Sequence, residues 1–300
     1  MTKKCIICDE LKDASLFNEE HIIPESLGNS KLKIYDVCAE CNSRLGSKVD
    51  CALTNNFLSE IYRNQNKIAG KNGKIPNPFR HGKTETGEPI IVDDDFKPRL
   101  VKTQLKFDEK TGKMFVKGGD INKMINAANK KLKRLKKPLL TEKQIEELKN
   151  NTKVVYENPK IQYEIIVDIN KLSLAFMKIA YEFGYKYFGQ VYIQDSVAQE
   201  IRKIIHDYIC NDIVISDLHR YVQPMPLEDR QEFCEKIRIL KAITNSKYVH
   251  MLVLSNTQDG VVLSIFIDEL FAYGVRCSSG NNRMHKNITV LYPSGGIFEM

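Results

Sequence analysis

Two pairs of cysteines stand in the first part of this chain, Cys5-Ile6-Ile7-Cys8 and Cys38-Ala39-Glu40-Cys41. Each pair places two thiolates on a tight turn. Two such turns offer four soft ligands in a tetrahedral arrangement, which suits Zn2+ with metal–sulfur bonds of about 2.3 Å. A site closed by four protein ligands has no open position, so its metal holds structure and performs no chemistry. The other cysteines, Cys51, Cys210, Cys234 and Cys277, are scattered. A disulfide framework would spread its cysteines through a small secreted chain, so metal binding is the better account of the pairs.

Between the pairs lies Glu19-Glu20-His21-Ile22-Ile23-Pro24, and Asn42 follows the second pair directly. An imidazole with a near-neutral pKa can take a proton from water. A carboxylate and an amide oxygen are ligands for a hard ion such as Mg2+ or Mn2+, which can clamp a phosphate and its leaving oxygen. Phosphodiester hydrolysis needs both functions. Each residue has a plain alternative: His21 as a surface residue, Glu20 as a solvated carboxylate, Asn42 as a helix cap. Their joint placement around the cysteine pairs favours the chemical reading.

The string EHIIPESLGNS…VCAECNSRLGSKVD resembles the HNH (ββα-metal) nuclease family, in its branch with a four-cysteine zinc site. The resemblance covers roughly residues 5–53, under a fifth of the chain. It implies a metal-dependent DNA endonuclease with His21 as general base, Glu20 and Asn42 as ligands of a catalytic Mg2+ or Mn2+, and a structural Zn2+ on Cys5, Cys8, Cys38 and Cys41. Glu19 is an alternative to Glu20. The family also has a middle Asn that orients the histidine, for which Asn29 is available. In this branch an Asp often follows the Gly at this distance, which makes Asp50 a candidate to brace the site. Such modules occur in restriction and phage-defence systems and in mobile elements. Two rival functions are a zinc-dependent DNA-binding module without cleavage and an RNase or toxin-like nuclease.

The 300 residues are 42% hydrophobic and 28% charged, an ordinary globular composition. The net charge of +7 favours an acidic partner such as DNA. The N-terminus is polar and no run of eighteen apolar residues occurs, so neither a signal peptide nor a membrane span is expected, and a cytoplasmic location is. Arg44 and Lys48, four apart on one helix face, are candidate phosphate contacts. So are Lys130, Lys131, Lys133 and Arg134, in a run that extends to Lys137 and lies opposite an apolar stripe. A homodimer or a regulatory partner is left open. The aromatics at 181–192 fit packing against a sheet better than stacking on bases. His206, His219, His250 and His285 show no ligand spacing.

The elements that must position the site follow from periodicity. A strand ending at His21-Ile22-Ile23 and a second at Leu32–Tyr35 flank a turn at Gly28 and Asn29. Leu45, Val49, Leu53, Phe57 and Ile61 recur every four residues and predict one helix from Asn42 to Tyr62. Residues 100–118 alternate as a hairpin, Ile121–Lys137 reads as a helix, and Gln162–Asp168 as a strand. Helices are expected over Leu172–Tyr187 and Ser196–Ile209, then strands at 248–255, 260–268, 271–278 and 287–292. The fold class is therefore α+β, a zinc-stabilised ββα-metal module followed by a mixed helix and antiparallel-sheet domain. The expected organisation is a nuclease module at 1–65, a linker at 66–99, rich in Asn, Gly, Lys and Pro, and an α+β domain at 100–300 for target recognition, regulation or dimerisation.

Overall fold

The computed structural model describes residues 1–28, 31–111, 113–151, 160–213, 216–280, 288–292 and 297–299. The protein is α+β and divides into two compact units, residues 1–76 with 166–300, and residues 77–165. These boundaries differ from the expected ones at both ends of the linker. Apolar burial explains the first unit. Ile7, Ile22, Ile23 and Leu27 from the cysteine-bearing segment are fully buried in the same core as Phe176, Ile179, Leu263 and Val275. A segment of about sixty residues is only marginally stable by its own burial, and here it shares the core of the C-terminal half.

Within the first unit, Thr2–Lys4 and Leu11–Asp13 form an antiparallel hairpin. Glu20–His21 pairs antiparallel with Lys33–Ile34. The helix that follows starts earlier than expected, at Ala39, with Cys38 at its N-cap. It is also broken. A π-turn spans Gly46–Asp50, a short helix spans Cys51–Thr54, and a further helix spans Phe57–Asn66. Asn56 causes the second break, because its side chain accepts from Ser59 N and caps the new helix.

The long helix Ile169–Phe188 is buried over the whole stretch from Leu172 to Gly184. A helix apolar all round belongs in a core, and this one is packed from several sides, with Ser196–Asn211 among its neighbours. A six-stranded antiparallel sheet completes the unit, in the order Val222–Pro224, Phe271–Ser278, Gly260–Ile267, His250–Thr257, Ile288–Tyr292, Ile297–Glu299. The helix Leu227–Thr244 packs Ile237 with Val249, Met251, Phe266 and Ala272 in a second, smaller core.

In the second unit the segment expected as linker carries three strands, His81–Thr84, Pro89–Val92 and Pro98–Leu100, in one sheet with Ile161–Gln162. Ile90 and Val92 are buried there, and Gly87, with φ of 80°, turns the chain between the first two strands. The expected strand over 162–168 shrinks to these two residues. Gln104–Phe107 pairs with Met114–Lys117, and the helix Ile121–Arg134 follows. No helix among the described residues is long and apolar enough to cross a membrane.

Candidate active site

The hairpin turn presents Cys5 and Cys8, and the helix start presents Cys38 and Cys41 one turn apart. Ile6 N donates to Asp36 O at 3.0 Å, which ties the two turns together. The four Sγ atoms lie within 4.8 Å of one another, and among the described residues theirs is the one group of three or more His, Cys, Asp or Glu side chains gathered closely enough to share a metal ion. Ligands at about 2.3 Å in a tetrahedron stand roughly 3.8 Å apart, so the four sulfurs fit Zn2+. Cys5 is the sulfur that carries negative charge most readily. The hydrogen bond from Cys41 holds it to about 4, and Cys38 N also donates to it, at 3.3 Å. Lys12 Nζ lies 3.6 Å from Cys38 Sγ and adds positive charge.

Alternation along the short strand sends Glu19 and His21 to one face and Glu20 to the other. On the first face His21 Nε2 lies 3.4 Å from Glu19 Oε1, which also receives Lys33 Nζ at 2.6 Å. Asn42 is brought to the same segment. Its Nδ2 donates to Glu19 O at 2.7 Å and to Asn18 Oδ1 at 2.9 Å, and no bond among the described residues engages its Oδ1. His21 is partly buried, and that burial holds its imidazole below the ordinary value, against Glu25 and Glu19. It is therefore neutral near pH 7 and able to accept a proton.

Glu20 faces inward and is only 3% exposed. Its Oε1 takes Lys178 Nζ at 2.5 Å. Lys178 comes from the long helix, and its side chain is fully buried. The same ammonium lies 3.4 Å from Asp50 Oδ1 and 3.2 Å from Glu182 Oε2, and donates to His21 O at 2.7 Å. Three carboxylates thus share one cation. Burial raises the pKa of Glu20, Asp50 and Glu182, most strongly that of Glu182, whose carboxylate meets Lys178 only as an ion pair and finds no well-aligned hydrogen bond among the described residues. Burial alone would push Lys178 down, but Asp50, Glu182 and Glu20 outweigh it and hold the ammonium protonated.

The structure therefore brings His21 and Asn42 together at Glu19 and places Glu20 with Asp50 in a buried ion cluster. The other candidates are placed as follows. Arg44 donates to Glu40 at 2.7 Å, and Lys48 bonds Asp212 Oδ1 at 2.5 Å and Ile209 O at 3.0 Å, so this helix face meets the helix Ser196–Asn211. Lys130, Lys133 and Arg134 are exposed and Lys131 is half-buried on the helix Ile121–Arg134 of the second unit. Asn29 lies outside the described residues. Lys178 and Glu182 were not singled out in the sequence. Their signal was a Lys and a Glu four apart inside the apolar run LSLAFMKIAYEFGY, where nothing else is charged.

Residues 5–58 match the family model described as HNH endonuclease. No curated protein and no solved structure gives a match to the chain. Residues 5–58 thus match the HNH endonuclease family, and their ring of four cysteines is consistent with its zinc-binding branch; the match points to a nuclease.

Proposed function

We propose that the protein is a metal-dependent DNA endonuclease in which His21 activates the attacking water. The observation that carries this reading is the strand face itself: a neutral, partly buried imidazole beside the Glu19 carboxylate, with the Asn42 amide fixed to the same backbone. The donors gathered there are oxygens, the ligand type a hard ion prefers. Mg2+ or Mn2+ bound there supplies charge compensation for the scissile phosphate and the leaving oxygen. The resemblance gives the ion to Glu20 and Asn42. Glu20 serves it only while sharing its carboxylate with Lys178, whereas Glu19 already lies on the His21 face. A setting in restriction or phage defence follows from the family resemblance.

A DNA-binding module without cleavage is the second reading, favoured by the withdrawal of Glu20 into its ion pair. One experiment decides between them. Plasmid and RNA are incubated with wild type, His21→Ala, Glu19→Gln and Glu20→Gln under Mg2+, Mn2+ or EDTA. The expected result is cleavage of DNA by wild type with either metal, none in EDTA, and a loss of about 100-fold or more in His21→Ala. Equal cleavage by wild type and His21→Ala would refute the catalytic assignment. Whichever glutamate variant needs more metal for half-maximal cleavage identifies the ligand.

A further inference from the structure

The charge of this protein is unevenly divided. Residues 77–165 carry twenty Lys and Arg against thirteen Asp and Glu, while residues 1–76 and 166–300 together carry twenty-five of each. The whole excess of +7 thus belongs to the second unit, and the unit with the HNH domain is electroneutral.

Within the second unit the excess is concentrated. Its carboxylates pair mainly around the four-stranded sheet, as Arg99–Asp93, Lys83–Glu164 and Lys160–Glu85. On the helix Ile121–Arg134, Lys123, Lys130, Lys133 and Arg134 are exposed, and no ion pair among the described residues engages them. Their spacing of 7, 3 and 1 residues places them on one face at 100° per residue. Ile121, Met124, Ile125, Ala128 and Leu132 occupy the opposite, buried or half-buried face. Lys136 and Lys137 extend the row past the helix end, both exposed. Cations in a last turn also favour the helix dipole. That accounts for Lys133 and Arg134, but not for Lys123, Lys130 or the excess over the unit as a whole.

We propose that residues 77–165 are the DNA-holding part of the protein, with the exposed face of Ile121–Arg134 lying along the phosphate backbone of a duplex. The choice of DNA as the polyanion rests on the nuclease reading above. The duplex follows from the face itself, since the helix carries no aromatic residue on which an unpaired base could stack. In this arrangement affinity and chemistry reside in different units. An electroneutral catalytic unit grips its substrate weakly, and the basic unit holds the duplex without reading its sequence.

The test uses the full chain in EDTA, so that binding is read without cleavage. A short fluorescein-labelled duplex of mixed sequence is titrated by anisotropy between about 50 and 200 mM salt. The four-site variant Lys130→Gln, Lys133→Gln, Arg134→Gln, Lys136→Gln is compared with a control carrying Lys203→Gln, Arg220→Gln, Lys236→Gln and Lys247→Gln, exposed cations of the first unit. The proposal expects the first variant to bind at least about tenfold more weakly, with the slope of log K against log salt reduced by about 3–4, and the control to bind as wild type. Equal weakening in both variants would mean a net-charge effect and overturn it, as would an unchanged slope or tighter binding to single-stranded RNA. In cleavage assays the first variant is expected to raise KM and keep kcat. His21→Ala is expected to bind the duplex as wild type does. Should His21→Ala cut normally while the four-site variant still loses binding, the catalytic reading falls and this one stands.

Discussion

Two clusters of buried acidic groups hold the HNH domain, and they are compensated in opposite ways. In the cysteine ring, four sulfurs from residues 5–8 and 38–41 converge on a space that suits an exchangeable ion. In the other, carboxylates of Glu20, Asp50 and Glu182 converge on an ammonium that belongs to the chain, Lys178. The first is complete within forty residues and can be emptied by a chelator. The second closes only when a helix more than a hundred residues later is in place, and only mutation can open it. The difference separates what makes the domain fold from what joins it to the rest of the unit.

The largest effect should come from the ring. Four-cysteine sites bind Zn2+ with apparent free energies of about 10–16 kcal/mol, as large as the total stability of a domain, about 5–15 kcal/mol. The purified chain should carry about one zinc. A Cys5→Ser, Cys41→Ser variant should lose that zinc, and limited proteolysis should then cut within residues 1–60, where wild type is protected. Metal analysis well below one zinc per chain, or unchanged protection in the variant, would remove the ring from the comparison.

Breaking the second cluster should cost less but still much. Removing one partner of a buried ion group leaves uncompensated charge and typically costs about 3–5 kcal/mol. Lys178→Met should show a loss of that order in urea unfolding. Adding Glu182→Gln removes the carboxylate whose charge burial opposes most strongly and should recover part of it. A cost for Lys178→Met below about 1 kcal/mol, the range of an exposed pair, would show that the carboxylates take up protons freely and that Lys178 compensates nothing.

The contrast also explains what could be read in the sequence. Two turns of four residues are local, so the spacing of Cys5, Cys8, Cys38 and Cys41 displayed the ring directly. Glu20, His21 and Asn42 could be recognised by their order between the pairs. The inward turn of Glu20 could not, because alternation shows that Glu20 and His21 face opposite ways without showing which face meets a buried lysine. Helix periodicity had the same limit. Leu45, Val49 and Leu53 are all fully buried, as their spacing required, yet the π-turn at Gly46–Asp50 and the cap at Asn56 interrupt the helix without disturbing that stripe. The unit boundaries were hidden in strands of two to four residues, with Ile161 pairing to Thr84 across a long stretch of chain.

His250 sharpens the comparison, because no ion pair among the described residues engages it. His250, at the start of its sheet strand, is fully buried, and its Nε2 lies 2.8 Å from Leu27 O. Tyr248 stacks beside it and packs against Gly28, whose φ of 101° and closeness to that ring leave no room for a side chain. The C-terminal sheet thereby clamps the turn that follows His21. Burial depresses the His250 imidazole to about 4, so this site is stable by staying neutral. The sign follows. Between its unfolded value near 6.5 and about 4, the unfolded chain binds the extra proton, so the His250 contribution is present above pH 6.5 and lost as pH falls through about 4. The shift corresponds to about 3 kcal/mol. The buried carboxylates, with raised pKa values, act in the opposite sense as pH changes, so the measurement must be a difference between two proteins. Urea unfolding of wild type and His250→Asn should show stabilities that converge as pH falls from 6.5 to 4, while the Lys178 variant remains parted from wild type at pH 6.5. Curves for wild type and His250→Asn that run parallel through this range would mean that His250 is solvated and that the clamp on the Leu27 turn is not closed.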